Sequence, residues 1–129
     1  MTPSRSAFEY AVVRIVPDIE REEFLNVGLI MFSRERRYLV ARSSLDEAAL
    51  EALRPGCDIE SIREQLRFVE GVAAGQVTTA PFATMSQSER FHWLTTPRST
   101  LIQTGPLHAG TTEEPRETFE HLYRVMVSR

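Results

Sequence analysis

A chain of 129 residues, 42% hydrophobic and 26% charged, has the length and balance of one soluble domain and cannot comfortably enclose two cores. Its formal net charge of −3 exerts no overall pull on nucleic acid or on anionic membranes, so nucleic acid is not an expected partner. All 15 basic residues are Arg, which excludes chemistry that needs a lysine amine: a Walker-type phosphate loop, a Schiff base or a kinase-type phosphate-binding lysine.

Residues Met1 to Ser6 read as a frayed tail ahead of a single domain that takes up the rest of 1–129. From Ala7 to Val16, Phe8, Tyr10 and Val12 alternate with Glu9 and Ala11, the period of a strand; Arg14 interrupts its apolar end and Pro17-Asp18 stops it. The charged stretch Ile19 to Glu23 is a loop. A second strand runs from Phe24 to Phe32, and from Val27 onward it is apolar at successive positions except Gly28. A strand of that kind is covered on both faces and belongs inside a sheet. Gly28 marks a bulge or the close approach of another backbone. Ser33 to Arg37 is a polar hairpin turn, and Tyr38 to Arg42 completes an antiparallel meander.

The period then changes. Ser44-Leu45-Asp46-Glu47 matches a capping box, and the short helix behind it carries Ala49, Leu50 and Leu53 before Pro55-Gly56 ends it. Asp58 caps a longer helix with an apolar stripe at Ile59, Ile62, Leu66, Val69 and Ala73, charge pairs Glu60–Arg63 and Glu64–Arg67 on its wet side, and Gly71 and Gly75 at its end. Gln76 to Met85 is irregular. Ser86-Gln87-Ser88-Glu89 is a second capping box, opening a brief helix that stops before Pro97. Ser99 to Gln103 forms a fourth strand, Gly105 to Gly110 a loop, and Pro115 the first turn of a last helix buried through Phe119, Leu122, Tyr123 and Met126. The order β-β-β-α-α-α-β-α specifies an α+β fold: an antiparallel sheet of about four strands, the last beside strand one or two, with helices mainly on one face.

Two stretches carry a resemblance. Glu22-Glu23-Phe24-Leu25-Asn26-Val27-Gly28 with its apolar continuation is one; Glu89-Arg90-Phe91-His92-Trp93-Leu94-Thr95-Thr96-Pro97-Arg98-Ser99-Thr100 followed by Pro106-Leu107-His108-Ala109-Gly110 is the other. Together they resemble the bacterial domain of unknown function 3037 family, from about Tyr10 to Val127. The resemblance implies no activity or catalytic residue. It implies an accessory role, since members can be encoded beside kinases of the toxin-kinase type, which makes such a kinase a candidate partner.

The candidate chemistry lies in the same stretches: Arg98, Ser99, Thr100, Asn26, Arg90, His92 and His108. Arg98 follows a proline and opens an apolar strand, an awkward place for a permanent charge. It either holds a phosphate or carboxylate, with Arg90 or Arg14 in support and Ser99 and Thr100 assisting, or it pairs internally with Glu22 or Glu23. Asn26 and Gly28 either open a backbone concavity to a ligand or form a bulge tied by the Asn side chain. His92 and His108 have no Cys/His spacing around them that fits a metal, so no metal and no cofactor is expected. Trp93 beside Phe91 is a core anchor or a stacking surface. Arg34, Arg36 and Arg37 cluster on the hairpin tip, as a solvated turn or as a contact for a phosphate backbone. The lone Cys57 excludes an internal disulfide and fits a reducing cytoplasm, and Val27 to Phe32 is too short to cross a bilayer, so a cytoplasmic location is expected without membrane attachment. The expected function is a non-catalytic binding or partner module, joined to a protein partner or to its own copy. The alternative is a small enzyme or nucleotide- or phosphate-binding domain that takes a small anionic ligand around Arg98, with His92 and His108 in the same cleft and either histidine available as a general acid or base.

Overall fold

The computed structural model describes residues 4–18, 20–97 and 100–128. Its elements run β1 (Ser6–Asp18), β2 (Glu23–Ser33), β3 (Tyr38–Ser43), α1 (Glu47–Leu53), α2 (Ile59–Ala74), a 3₁₀ turn (Phe82–Thr84), α3 (Gln87–Thr95), β4 (Ile102–Thr104), β5 (His108–Thr112) and α4 (Pro115–Met126). The five strands make one antiparallel sheet, ordered β3-β2-β1-β4, with β5 also on β1. The fold is α+β, as the order of patterns specifies. None of the described helices is long and apolar enough to cross a membrane.

Several details differ from the sequence reading. The stretch His108–Thr112, expected within a loop, is strand β5. It continues β4 along the same edge of β1: Val13 faces Thr104 and Tyr10 faces His108, so residues 105–107 stand opposite only Ala11 and Val12. Ser6, expected in the tail, is the first residue of β1; it is buried, and its hydroxyl accepts a hydrogen bond from Arg36 Nε at 2.7 Å. The first helix is capped by Asp46, whose carboxylate accepts from Ala49 N–H, and not by Ser44. Ser44 N–H is committed to the Val27 carbonyl at 2.7 Å, so the sheet still holds the chain where a capping box would need it.

β2 contains the bulge that Asn26 and Gly28 suggest. Gly28 faces Val13 while Asn26 faces Arg14, leaving Val27 as the extra residue. A bulge reverses the alternation downstream of it. Leu25 and Val27 therefore face the same side as Ile30 and Phe32, while Leu29 and Met31 face the other. The unbroken apolar run follows: both faces are covered. On one, Val13, Ile15, Val27, Ile30 and Phe32 pack against Leu50, Ile62, Leu66, Phe91 and Leu94 of α1, α2 and α3. On the other, Phe8, Val12, Leu29 and Met31 pack against Phe119, Tyr123 and Val127. Three helices thus share one face and α4 alone covers the second.

Gly28 is required by proximity. A Cβ there would lie 2.8 Å from the Arg42 carbonyl oxygen and 3.2 Å from the Cβ atoms of Ser43 and Val13. Gly28→Ala should cost about 1–3 kcal/mol as an overpacked interior site, measured by chemical denaturation against wild type.

α4 is held at its outer edge by Arg42 of β3. The guanidinium bonds both Glu120 oxygens, at 2.9 and 2.6 Å, and lies 5.1 Å from the ring centres of Phe119 and Tyr123. The hydrogen bond from Arg42 holds the Glu120 carboxyl below its ordinary range. A depressed carboxylate contributes stability that is fully present above its unfolded-state pKa and is lost as the pH falls through the lower folded value. Glu120→Gln should therefore flatten the fall in denaturation midpoint between about pH 5 and about pH 3 and leave the neutral-pH shape of the transition unchanged.

Candidate binding site

The capping box at the start of α3 forms in full: Ser86 Oγ accepts from Glu89 N–H at 3.2 Å, and the Glu89 carboxylate accepts from Ser86 N–H at 3.1 Å. This fixes the start of a nine-residue helix and so the direction of each side chain on it. Phe91 and Leu94 point into the core. Trp93, between them, points sideways toward α2. There it meets Phe82 at 4.8 Å and Phe68 at 6.0 Å, both edge to face, and Phe68 meets Phe82 at 5.5 Å. Edge-to-face pairs of this kind add stabilisation beyond buried area and hold the rings at fixed angles.

Between this aromatic wall, α2 and β4 lies a groove of about 300 Å³, lined by Glu64, Gln65, Phe68, Val69, Trp93, Thr100 and Ile102. Its floor is apolar. Phe68 is 42% exposed at its mouth. The sequence reading left Phe68 and Phe82 out of any site. The available signal was Phe68 itself, an aromatic residue beside the apolar stripe of α2, between Arg67 and Val69, where a charged residue would be expected.

The predicted site residues are distributed over several places. Thr100 borders the groove, its hydroxyl donating to the Ile102 carbonyl at 2.6 Å. Arg98 and Ser99 lie outside the described residues. Of the two carboxylates expected to answer Arg98, Glu23 is paired with Arg21. Arg90 is turned inward: Nη1 donates to the Met85 carbonyl at 3.1 Å, and the guanidinium lies against Gly75, the left-handed residue that ends α2. A cation there meets the negative end of the α2 dipole. His92 is exposed on α3, with Nδ1 donating to the Ser88 carbonyl at 2.8 Å. His108 lies across the sheet from it, exposed on β5 and stacked on Tyr10 at 5.1 Å, on the α4 face. The two histidines therefore do not share a cleft. Asn26 is also on the α4 face, its amide donating to the Met126 carbonyl at 3.3 Å. The Asn side-chain bond expected at the bulge is present, but it reaches the backbone of α4 and not that of its own strand. Arg36 of the basic turn is also used internally, donating to Ser6 Oγ and to the Ser4 carbonyl. Among the described residues no group of three or more His, Cys, Asp and Glu is placed to hold a metal ion.

Residues 10–127 match the family described as protein of unknown function (DUF3037), nearly the whole chain, and the chain belongs to that family. No curated protein and no solved structure matches it.

The placement of Arg90 gives it an architectural role that can be measured. Arg90→Ala removes a charged hydrogen bond to a backbone carbonyl and should cost about 1.5–3 kcal/mol in chemical denaturation, with no change in any binding measured at the groove.

Proposed function

We propose that this member of the DUF3037 family is a non-catalytic binding module that docks a protein partner through the groove between α2, α3 and β4, taking an apolar or aromatic side chain of that partner as its anchor. The observation that carries the reading is Phe68: a large aromatic ring left 42% exposed at the mouth of an apolar groove whose wall is fixed by two further rings. Rigid aromatic walls around a concave, apolar floor are the features that concentrate binding energy at protein interfaces. Glu64 on the rim makes no ion pair among the described residues and favours a basic residue beside the anchor. A kinase encoded nearby is one candidate for such a partner.

Trp93 is the single tryptophan of the chain, so its emission reports on the groove alone. Peptides selected from a displayed library against the wild-type protein should carry an apolar or aromatic anchor, change the Trp93 emission on binding, and lose about tenfold or more in affinity for Phe68→Ala, equivalent to about 1.4 kcal/mol. Phe68 is exposed enough for that variant to keep its fold, which the denaturation midpoint checks. Binders that leave Trp93 emission unchanged, or that bind Phe68→Ala as tightly as wild type, would reject the groove as the docking site. Light scattering across a range of concentrations separates a distinct partner from self-association: a mass that rises with concentration and falls back in Phe68→Ala would assign the groove to a second copy of the chain.

A further inference from the structure

The groove is bordered by a strand edge. β4 is outermost on its side of the sheet and, among the described residues, pairs with β1 alone. The Leu101 carbonyl accepts from Val16 N–H at 2.7 Å, and Gly105 N–H donates to the Val12 carbonyl at 2.8 Å. Antiparallel partners exchange backbone bonds at every second residue, so Gln103, opposite Arg14, also turns its backbone groups to β1. Ile102 and Thr104 turn theirs outward.

On this outer row two carbonyls are served by the chain's own side chains. Ile102 accepts from Thr100 Oγ1 at 2.6 Å, and Thr100 accepts from the Gln103 amide at 2.8 Å. The amides of Ile102 and Thr104 and the Thr104 carbonyl have no partner among the described residues. Two cavities reach this strand: the groove opens on Thr100 and Ile102, and a cavity of about 30 Å³ touches Ile102, Gln103 and Thr104. Ile102 lies opposite Ile15 and packs with it on the side of α2 and α3. Residues directly opposite across a ladder share a face, so a residue set against the outer side of Ile102 points its side chain toward the groove.

We propose that the partner docks as an extended segment that adds to the outer edge of β4 as a further antiparallel strand, with its anchor residue opposite Ile102. The proposal rests on the groove being the docking site and adds how the partner's backbone is held. The anchor exchanges N–H and C=O bonds with Ile102, and the residue two positions before it does so with Thr104. The residue between them faces the other side of the sheet with Gln103. Two positions after the anchor, opposite Thr100, a basic side chain comes beside Glu64 of the groove. A docked helix satisfies its own backbone and would leave the Ile102 and Thr104 amides bare where docking shuts out water, which costs free energy. The added strand is short, because residues 105–107 interrupt the edge before β5. Gly105 is held close to Arg14 there: a Cβ on it would stand 2.5 Å from Nη2.

The test takes a peptide that was selected on the wild-type protein and needs Phe68 to bind, and methylates its backbone amides one at a time. Methylation at the anchor, or two positions before it, should cost about tenfold or more in affinity, and methylation of the amide between them should cost nothing. In protein labelled with nitrogen-15, the Ile102 and Thr104 amides should become protected from hydrogen exchange on binding, while that of Gln103, already bonded within the sheet, stays as it was. Thr104→Pro removes an outward amide at a sheet edge, where proline is tolerated; it should keep the Tm and lose about tenfold in peptide affinity. The methylated peptides read the same bonds even where that variant does not fold. A Phe68-dependent peptide whose affinity shows no alternation along its amides, or which gains helical circular dichroism on binding, would overturn strand addition and leave the groove standing. So would unchanged exchange at Ile102 and Thr104. Should no selected peptide need Phe68, the groove and the added strand fall together.

Discussion

The structure depends on a single contact: the backbone of β2 at Gly28 pressed against β3 and β1. With the Arg42 carbonyl 2.8 Å from where a Cβ would sit, no larger residue fits without a shift. That approach is possible because Val27 is extra in its ladder with β1. The bulge and the glycine act together, and they set the facing of everything in β2. Upstream, Asn26 turns to α4; downstream, Leu29 and Met31 do so, while Ile30 and Phe32 join Val27 under the other helices. A β2 without the extra residue would put Asn26 in the larger core and remove it from Arg14, with the loss of its contact with α4.

The two faces of the sheet are built differently. The larger core is closed by three helices whose starts are fixed by side-chain caps at Asp46, Asp58 and Ser86. Among its openings is the groove where α2 and α3 part over β4. The smaller core rests on one helix, which has no side-chain cap and is oriented by Pro115 in its first turn and by Arg42 and Asn26 along its length. Residues drawn from the same two sequence stretches end up on opposite sides: Trp93 and Thr100 at the groove, Asn26 and His108 on the α4 face.

What could be read from the sequence was local. The stripe of α2, the capping box of α3, the Pro at the start of α4 and the interior position of β2 all follow from periods and end signals within a dozen residues. What could not be read depends on long-range pairing. β5 has the composition His-Ala-Gly-Thr-Thr, poor for a strand, and is one because β1 offers an unpaired edge. β1 runs past Pro17 because a second irregularity lets two of its residues, Val16 and Pro17, stand opposite Phe24 alone, so the missing proline N–H leaves no gap in the ladder. Ser44 fails as a cap because Val27 already holds its amide. For the site, the sequence offered a set of polar residues without their facing. Arg14 was visible as an anomaly in an apolar strand; that Asn26 and Gln103 flank it could be known only from the register, and Phe68 gained meaning only once Phe82 and Trp93 were beside it.

The interruption between β4 and β5 has a consequence for the molecule in a crowded solution. A 13-residue strand such as β1, finished by one long straight neighbour, would present an outer row of free amides and carbonyls able to template the strand of another molecule. Here that outer row is split into pieces of three and five residues by Gly105, Pro106 and Leu107, and Pro106 has no amide to offer. An incoming strand would meet a step of one residue and a missing donor at its middle, so the break that admits Arg14 against Gly105 also guards the sheet against edge-to-edge aggregation.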